Sequence, residues 1–307
     1  MKMKKIPIAH PSITKNEINL VYDAIKNGWG NKCFDYIIKF EKLFSKKFNV
    51  NYSIATSSCT GAIHIALKSM GIGRGDEVIV PESTWISCAS AIEYVGAKPV
   101  FADILEDTWC INPKDILKKI NKRTKAIIPV HVYGSICEMD EINKIAKKHK
   151  LYVIEDAAEA IGSKYKKKYV GTLSDCGVFS FHGTKTITTG EGGMLVTNNR
   201  KLYAKFKIIH DQGRVVKEKK MFFPHYTGLK YKISNIQAAL GCAQLKRLNH
   251  IVNKKRQIFN WYSKVLKKNT EITLNAQKKY TYNSYWKTTI VLDQKLKINK
   301  EKLINFL

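Results

Sequence analysis

Lys185 stands apart in a chain crowded with lysines. Elsewhere they cluster, as between Lys164 and Lys168 or from Lys217 to Lys220. Lys185 instead sits in SFHGTKTITTGEGG, Ser180 to Gly193, among small neutral residues with Glu191 the only acid nearby. Three uses compete: a phosphate grip, a reactive amine, or one more charge on a loop. A phosphate-binding P-loop needs G-x-x-x-x-G-K-[ST], because its amides wrap the phosphates. Here Thr184 precedes Lys185, so that use is excluded. A dinucleotide fingerprint fails as well: Gly71-Ile72-Gly73 runs to Gly75, which is the wrong spacing for G-x-G-x-x-G and reads as a turn before a strand. A partly desolvated amine among small residues suits Schiff-base chemistry with a carbonyl. A surface lysine on a Gly/Thr loop is the ordinary alternative.

Three further stretches bear on that choice. VIEDAAEA, Val153 to Ala160, ends an apolar run in Glu155-Asp156, charges that are costly to bury unless paired. An acid at the carboxyl end of a strand lies where open α/β sheets bind ligands. Such a carboxylate can hold a protonated pyridine nitrogen, the pairing that makes pyridoxal phosphate an electron sink. An Asp that merely caps the Ala-rich turn would look the same. SSCTGAIHIAL, Ser57 to Leu67, carries hydroxyls into a helix start, where free amides bind anions such as a cofactor phosphate. Ordinary helix capping uses the same residues. Trp85, after Val80-Pro81, could stack on a planar ring or belong to the core.

The elements that would position these groups alternate. Glu77–Val80, Lys98–Asp103, Lys125–Val130 and Leu151–Asp156 read as strands whose apolar residues run together, as in sheets buried on both faces. Helical stretches lie between them at Thr84–Val95, Asn112–Ile120 and Met139–Lys148, and Asn112-Pro113 is a cap followed by a first-turn proline. Gly177–Phe181 and Gly193–Thr197 flank Lys185, which places it on the connection between neighbouring strands. This pattern predicts an α/β fold with a mainly parallel central sheet. From Ser234 one long helix is expected, then a strand over Tyr285–Leu292, and INKEKLINFL starts an amphipathic helix that ends at once. The division expected is a large domain over 1–233 and a smaller C-terminal α+β lobe over 234–307 that cannot close its own core.

At 307 residues the chain can bury a large core. No apolar run approaches the roughly 20 residues that cross a bilayer, and Ile8–Ile13 is too short and polar for a signal core. The formal charge of +28 comes almost entirely from dispersed Lys, with Arg only at 74, 123, 200, 214, 247 and 256. Without Arg clusters or a nucleic-acid motif, this reads as a solvated surface rather than a nucleic-acid site. The seven cysteines form no C-x-x-C pair and their number is odd, which argues against a disulfide framework or a zinc site. A cytoplasmic enzyme is expected.

Taken together, IPIAHPSI, TSSCTGAIHIAL, VPESTW, GAKPVFADI, IIPVHVYG, VIEDAAEAIGSKYKKKYVGTLSDCGVFSFHGTKTITTGEGGMLVTN and NIQAALGCAQL occur in an order that resembles the DegT/DnrJ/EryC1/StrS sugar aminotransferase family over nearly the whole chain. The resemblance implies an aspartate-aminotransferase-like fold (fold type I) and pyridoxal 5'-phosphate as cofactor. It implies that Lys185 bonds to the cofactor as a Schiff base and later moves protons. Asp156 would pair with the pyridine nitrogen, Glu159 would lie near the ring hydroxyl, and Trp85 would stack on the ring. Ser180 with Ser58, Cys59 and Thr60 would hold the phosphate, and His182 would lie nearby. Related dehydratases carry His where this chain keeps Lys185, which favours amino transfer. Glutamate is the implied donor, a nucleotide-linked 4-keto-6-deoxyhexose the implied acceptor, and a homodimer the implied assembly.

One departure concerns the acceptor. Relatives carry G-x-N-x-R-M before the long helix, its Asn reaching a neighbouring subunit's phosphate, whereas this chain has Gly228-Leu229-Lys230-Tyr231-Lys232-Ile233. Lys230 would serve the cofactor phosphate or a phosphate on the substrate, so a small phosphorylated ketone is the alternative acceptor. Family chains also run further than this ending, so a fragment, or a shortened and inactive relative, is the alternative to a working enzyme.

Overall fold

The computed structural model describes residues 7–215, 224 and 226–306. The chain opens with helices α1 (Lys15–Asn27) and α2 (Asp35–Phe48) and then alternates: β1 (Tyr52–Thr56), α3 (Cys59–Ser69), β2 (Glu77–Pro81), α4 (Ser87–Tyr94), β3 (Lys98–Ala102), α5 (Pro113–Lys119), β4 (Thr124–Ile127), α6 (Met139–His149), β5 (Tyr152–Asp156). Two short strands, β6 (Lys164–Tyr165) and β7 (Lys168–Tyr169), precede β8 (Cys176–Ser180) and β9 (Gly193–Thr197). Helices α7 (Arg200–His210), α8 (Asn235–Lys246) and α9 (Leu248–Leu266) follow, then β10 (Ile272–Leu274), β11 (Thr281–Tyr282), β12 (Ile290–Leu292) and α10 (Lys300–Phe306).

The main sheet has the order β1-β9-β8-β5-β4-β2-β3. Strands β8, β5, β4, β2 and β3 run parallel, and β9 is antiparallel to both β8 and β1. This is the expected mainly parallel α/β sheet. Strands β2, β8 and β9 are buried along their whole length, because helices cover both faces. One face packs on Ile54, Ile63, Leu67, Val78, Ile92 and Phe206. The other packs on a Phe cluster from α2 and β8 in which Phe44 stacks on Phe48 and meets Phe179 edge-on. Each such Phe contributes about 2 kcal/mol through burial. β11 pairs with β6, so the C-terminal part of the chain is stitched to the segment after β5.

Two expectations need correction. The long helix is broken: Arg247 leaves helical conformation between α8 and α9. There its guanidinium donates to Ser12 O and Glu17 Oε1, both at 2.8 Å, clamping the start of α1 onto the break. The strand expected over Tyr285–Leu292 shrinks to Ile290–Leu292, paired with β10. Tyr285 adopts φ +50°, a left-handed conformation no strand tolerates. Tyr285 and Trp286 turn inward instead and are each 5% exposed.

Candidate active site

The site is built where β5 and β8 end. Asp156 is the last residue of β5, opposite Val178 of parallel β8. It is 5% exposed, and a carboxylate so placed must find donors. The Ala158 N–H donates to Oδ1 at 2.9 Å and the Cys88 thiol donates to Oδ2 at 3.1 Å. The first bond is the turn-capping role that the sequence left open; the second comes from α4, an element it did not connect to Asp156. Its neighbour Glu155 has a different task. It is fully buried and accepts from the Gly171 and Leu173 N–H groups and the Ser174 hydroxyl at 2.6–2.8 Å. His131 Nδ1 accepts from the Cys137 N–H, so Nε2 carries the proton toward Glu155, 3.3 Å away. Glu155 therefore pins the loop before β8, and its hydrogen bonds are spent on structure.

Glu159 follows one turn later and meets Lys185. Nζ of Lys185 lies 3.1 Å from Glu159 Oε1, while Oε2 accepts the Tyr133 N–H at 2.9 Å. Both side chains are mostly buried, at 14% and 12% exposure, so this ion pair is shielded from solvent. Lys185 sits where expected, on the connection from β8 to β9, and its own N–H returns to His182 O. The ordinary alternative of a surface lysine is thereby excluded.

The Ser57–Leu67 stretch, expected to meet an anion, lies alongside. Ser58 caps α3 by accepting the Gly61 N–H at 3.0 Å, so ordinary capping is also present. Among the described residues, however, the N–H groups of Cys59 and Thr60 have no acceptor. Ser180 faces Gly193 across the β8–β9 register. A Cβ on Gly193 would come within 2.7 Å of Cys59 N and Ser58 O, so only glycine lets the strand approach the helix start. Burial, then the charge of Asp156, pushes the Cys59 thiol well above its ordinary range; Lys185 and Glu159 act on it too. Ser58, Cys59, Thr60, Asp156, Glu159, Ser180 and Lys185 thus share one end of the sheet. His182 is at its rim, with Nε2 3.5 Å from Glu191.

Trp85 is 74% exposed, so it is not core; it leads into α4 three residues before Cys88. Lys230 lies apart from this cluster. It is exposed, and its Nζ faces Asp211 at 3.8 Å, with no contact to Lys185, Glu159 or Asp156 among the described residues.

The sequence reading missed Trp286. It is 5% exposed, its Nε1–H donates to Thr184 O at 2.9 Å, and Lys185 Nζ lies 4.0 Å over its ring. Tyr133 lies parallel to the ring at 6.3 Å. The segment bearing Trp286 is locked in place: the Ser284 N–H donates to Ser163 Oγ at 2.9 Å, and Gly134 (φ +91°) has no room for a Cβ beside Asn283 and Tyr285. A Trp at that distance in sequence gave no local signal; only the aromatic run around it did.

A buried carboxylate at a strand end, a shielded amine–carboxylate pair and free amides at a helix start define an α/β enzyme equipped for amine–carbonyl chemistry on an anionic group. The chain belongs to the DegT/DnrJ/EryC1/StrS aminotransferase family, whose model matches residues 11–307. GDP-perosamine synthase of Escherichia coli O157:H7 is 42% identical over 94% of this chain and 78% of its own length. The enzyme of the same name from Vibrio cholerae is 38% identical over 98% of this chain and 82% of its own. Among solved structures, the putative sugar aminotransferase Spr1654 of Streptococcus pneumoniae in its PMP form superposes with TM-score 0.88 at 27% identity, covering 94% of this chain and 78% of that one. PseC of Helicobacter pylori, an aminotransferase involved in pseudoaminic acid biosynthesis, gives 0.89 at 28%, covering 98% and 81%. The residues here fit pyridoxal phosphate: Asp156 for a pyridine nitrogen, Lys185 for an aldehyde, and the Cys59 and Thr60 amides with Ser180 for a phosphate.

Proposed function

We propose that this protein is a pyridoxal-phosphate-dependent aminotransferase that moves an amino group from glutamate to a nucleotide-linked keto sugar, of the GDP-4-keto-6-deoxymannose kind. The observation that carries the reading is the Lys185–Glu159 pair at 3.1 Å beside the strand end bearing Asp156. The likeness to GDP-perosamine synthases from several bacteria supports this acceptor over a small phosphorylated ketone.

When bound, pyridoxal phosphate would supply an aldehyde and an electron-withdrawing ring able to carry an amino group between substrates. Lys185 would hold the aldehyde carbon, and its free Nζ would take up and return a proton at the donor α-carbon. Glu159 and the Trp286 face would hold the charged Nζ between proton transfers. Asp156 would keep the pyridine nitrogen protonated, and Trp85 would close over the ring. Trp286 and Tyr133 would screen Lys185 from water.

A homodimer is part of this reading. Ile18, Tyr22, Ile25, Trp29, Phe34 and Ile38 on and between α1 and α2 are exposed, a patch suited to a second copy. Lys230 would then serve the partner's phosphate site. The seven free cysteines suit a reducing, cytoplasmic setting.

The protein incubated with pyridoxal phosphate should turn yellow and bleach when glutamate is added. Pyridoxamine-charged protein should aminate the nucleotide keto sugar and not a small keto phosphate. A colourless protein that cannot be loaded would overturn the reading.

A further inference from the structure

Cys88 is a buried thiol against Asp156 to which the scheme above gives no task. It is 1% exposed, lies in the first turn of α4, and donates its thiol hydrogen to Asp156 Oδ2 at 3.1 Å. Burial, and then the charge of Asp156, pushes this thiol well above its ordinary range, so it keeps its hydrogen and can only donate toward the carboxylate. Asp156 Oδ1 is held separately by the Ala158 N–H. The two donors come from different elements, α4 and the turn after β5, and together they fix the plane of the carboxylate. One lone pair on each oxygen is left for a further partner.

We propose that Cys88 is a positioning residue that holds the Asp156 carboxylate in the orientation a pyridine nitrogen requires. A thiol is a weak donor, so it orients the carboxylate without drawing off much of its negative charge. That balance suits a group that must itself hold a proton on a ring nitrogen. The same contact ties the carboxylate to α4, and so to Trp85, three residues earlier and just outside the helix. The face and the edge of a bound ring would thus be set by one short segment. The proposal rests on the cofactor reading above.

The experiment uses the full chain loaded with pyridoxal phosphate carrying 15N in its ring, with Cys88→Val, Cys88→Ala and Cys88→Ser as variants. Two quantities are read without turnover: the cofactor dissociation constant and the 15N resonance of the ring from pH 6 to 9. In the parent the resonance should stay at the protonated position throughout. Cys88→Val, which keeps an apolar side chain one heavy atom larger and loses the donor, should bind the cofactor about fivefold to tenfold more weakly. Its resonance should drift toward the unprotonated position at the upper end of the range. Cys88→Ser should restore both, because a hydroxyl donates along the same line. If the valine variant fails to melt cooperatively, Cys88→Ala is read by the same criteria. A merely structural role would lower the melting temperature and leave the ring resonance where it was, and that result overturns the proposal. Parent protein that takes up no cofactor would instead sink the functional reading, so the two failures are distinguishable.

Discussion

The end of the parallel sheet and the C-terminal segment contribute to the same site by different physics. At the sheet end, Asp156, Glu159 and Lys185 lie within one short stretch of sequence, on or just beyond neighbouring strands β5 and β8. Their placement follows from strand register and two turns. The C-terminal segment contributes Trp286, which reaches Thr184 across 102 residues of chain. Its position depends on side-chain contacts with Ser163 and on the close approach at Gly134. On the proposed roles, the reacting groups are set by register and turns, whereas their cover is set by packing. Removing a sheet-end residue should abolish reaction, and removing the cover should only slow it.

The largest expected effect tests the first half of that statement. On the role proposed for Lys185, Lys185→Ala should cut amino transfer by about 10³-fold or more, since both the bond to the cofactor and the proton carrier would be lost. The change also leaves the shielded Glu159 carboxylate without its amine, so the melting temperature should fall, and turnover is compared at a temperature where both proteins are folded. Normal turnover by this variant would refute the role given to Lys185.

The same division explains what the sequence disclosed. The strands around Lys185 were legible because both faces are buried, which leaves uninterrupted apolar runs, and because glycine marks their junctions. Asp156 was legible as an acid at the end of such a run. Cys88 was not, because a single thiol in a helix carries no periodic or motif signal; only the fold brings α4 against β5. The break at Arg247 was hidden for a related reason. The helical pattern continues through it, and the cause is a pair of bonds to Ser12 and Glu17, more than 200 residues away. Tyr285–Trp286 read as strand because aromatic runs favour strands, yet the left-handed Tyr285 turns them inward.

Glu17 offers a test outside both regions. It is fully buried and meets Thr14, Gln244 and Arg247. Burial raises its pKa, but the hydrogen bonds from Thr14 and Arg247 outweigh that and hold it at about 2. A carboxylate depressed in the folded state contributes stability above its unfolded value of 4.5, and that contribution fades as pH falls toward 2. Glu17→Gln should therefore cost about 3 kcal/mol at neutral pH and almost nothing near pH 2. Denaturant melts across pH should show the two curves converging in acid, with the turnover of folded protein unchanged.

Glu41, on α2, should behave in the opposite sense. Burial raises it to about 7, only partly offset by the Ala55 N–H at 2.9 Å and by Lys207 and Lys232. A carboxyl raised in the folded state takes up protons on folding between its unfolded value and 7, so stability falls as pH climbs through that window. Glu41→Gln should leave stability unchanged below pH 4.5 and add about 2 kcal/mol at pH 8. A variant less stable than the parent at pH 8 would contradict the sign. Neither this change nor Glu17→Gln should alter the chemistry of folded protein, which separates the frame from the site.

The smallest effect bears most directly on the opening contrast. Trp286→Leu removes the ring under Lys185 Nζ and the Nε1–H that holds Thr184 O, while Lys185 keeps Glu159 at 3.1 Å. A shielded cation–π contact is worth about 0.5–2 kcal/mol, which sets the expected loss of kcat at about twofold to thirtyfold. Trp286→Phe keeps a face and loses the donor, so it should fall between parent and leucine variant. Acceptor KM should stay near the parent value if the ring serves Lys185 rather than the substrate. A loss as deep as that of Lys185→Ala would mean that the C-terminal segment takes part in the chemistry itself. A KM effect without a kcat effect would move Trp286 from the lysine to the acceptor pocket.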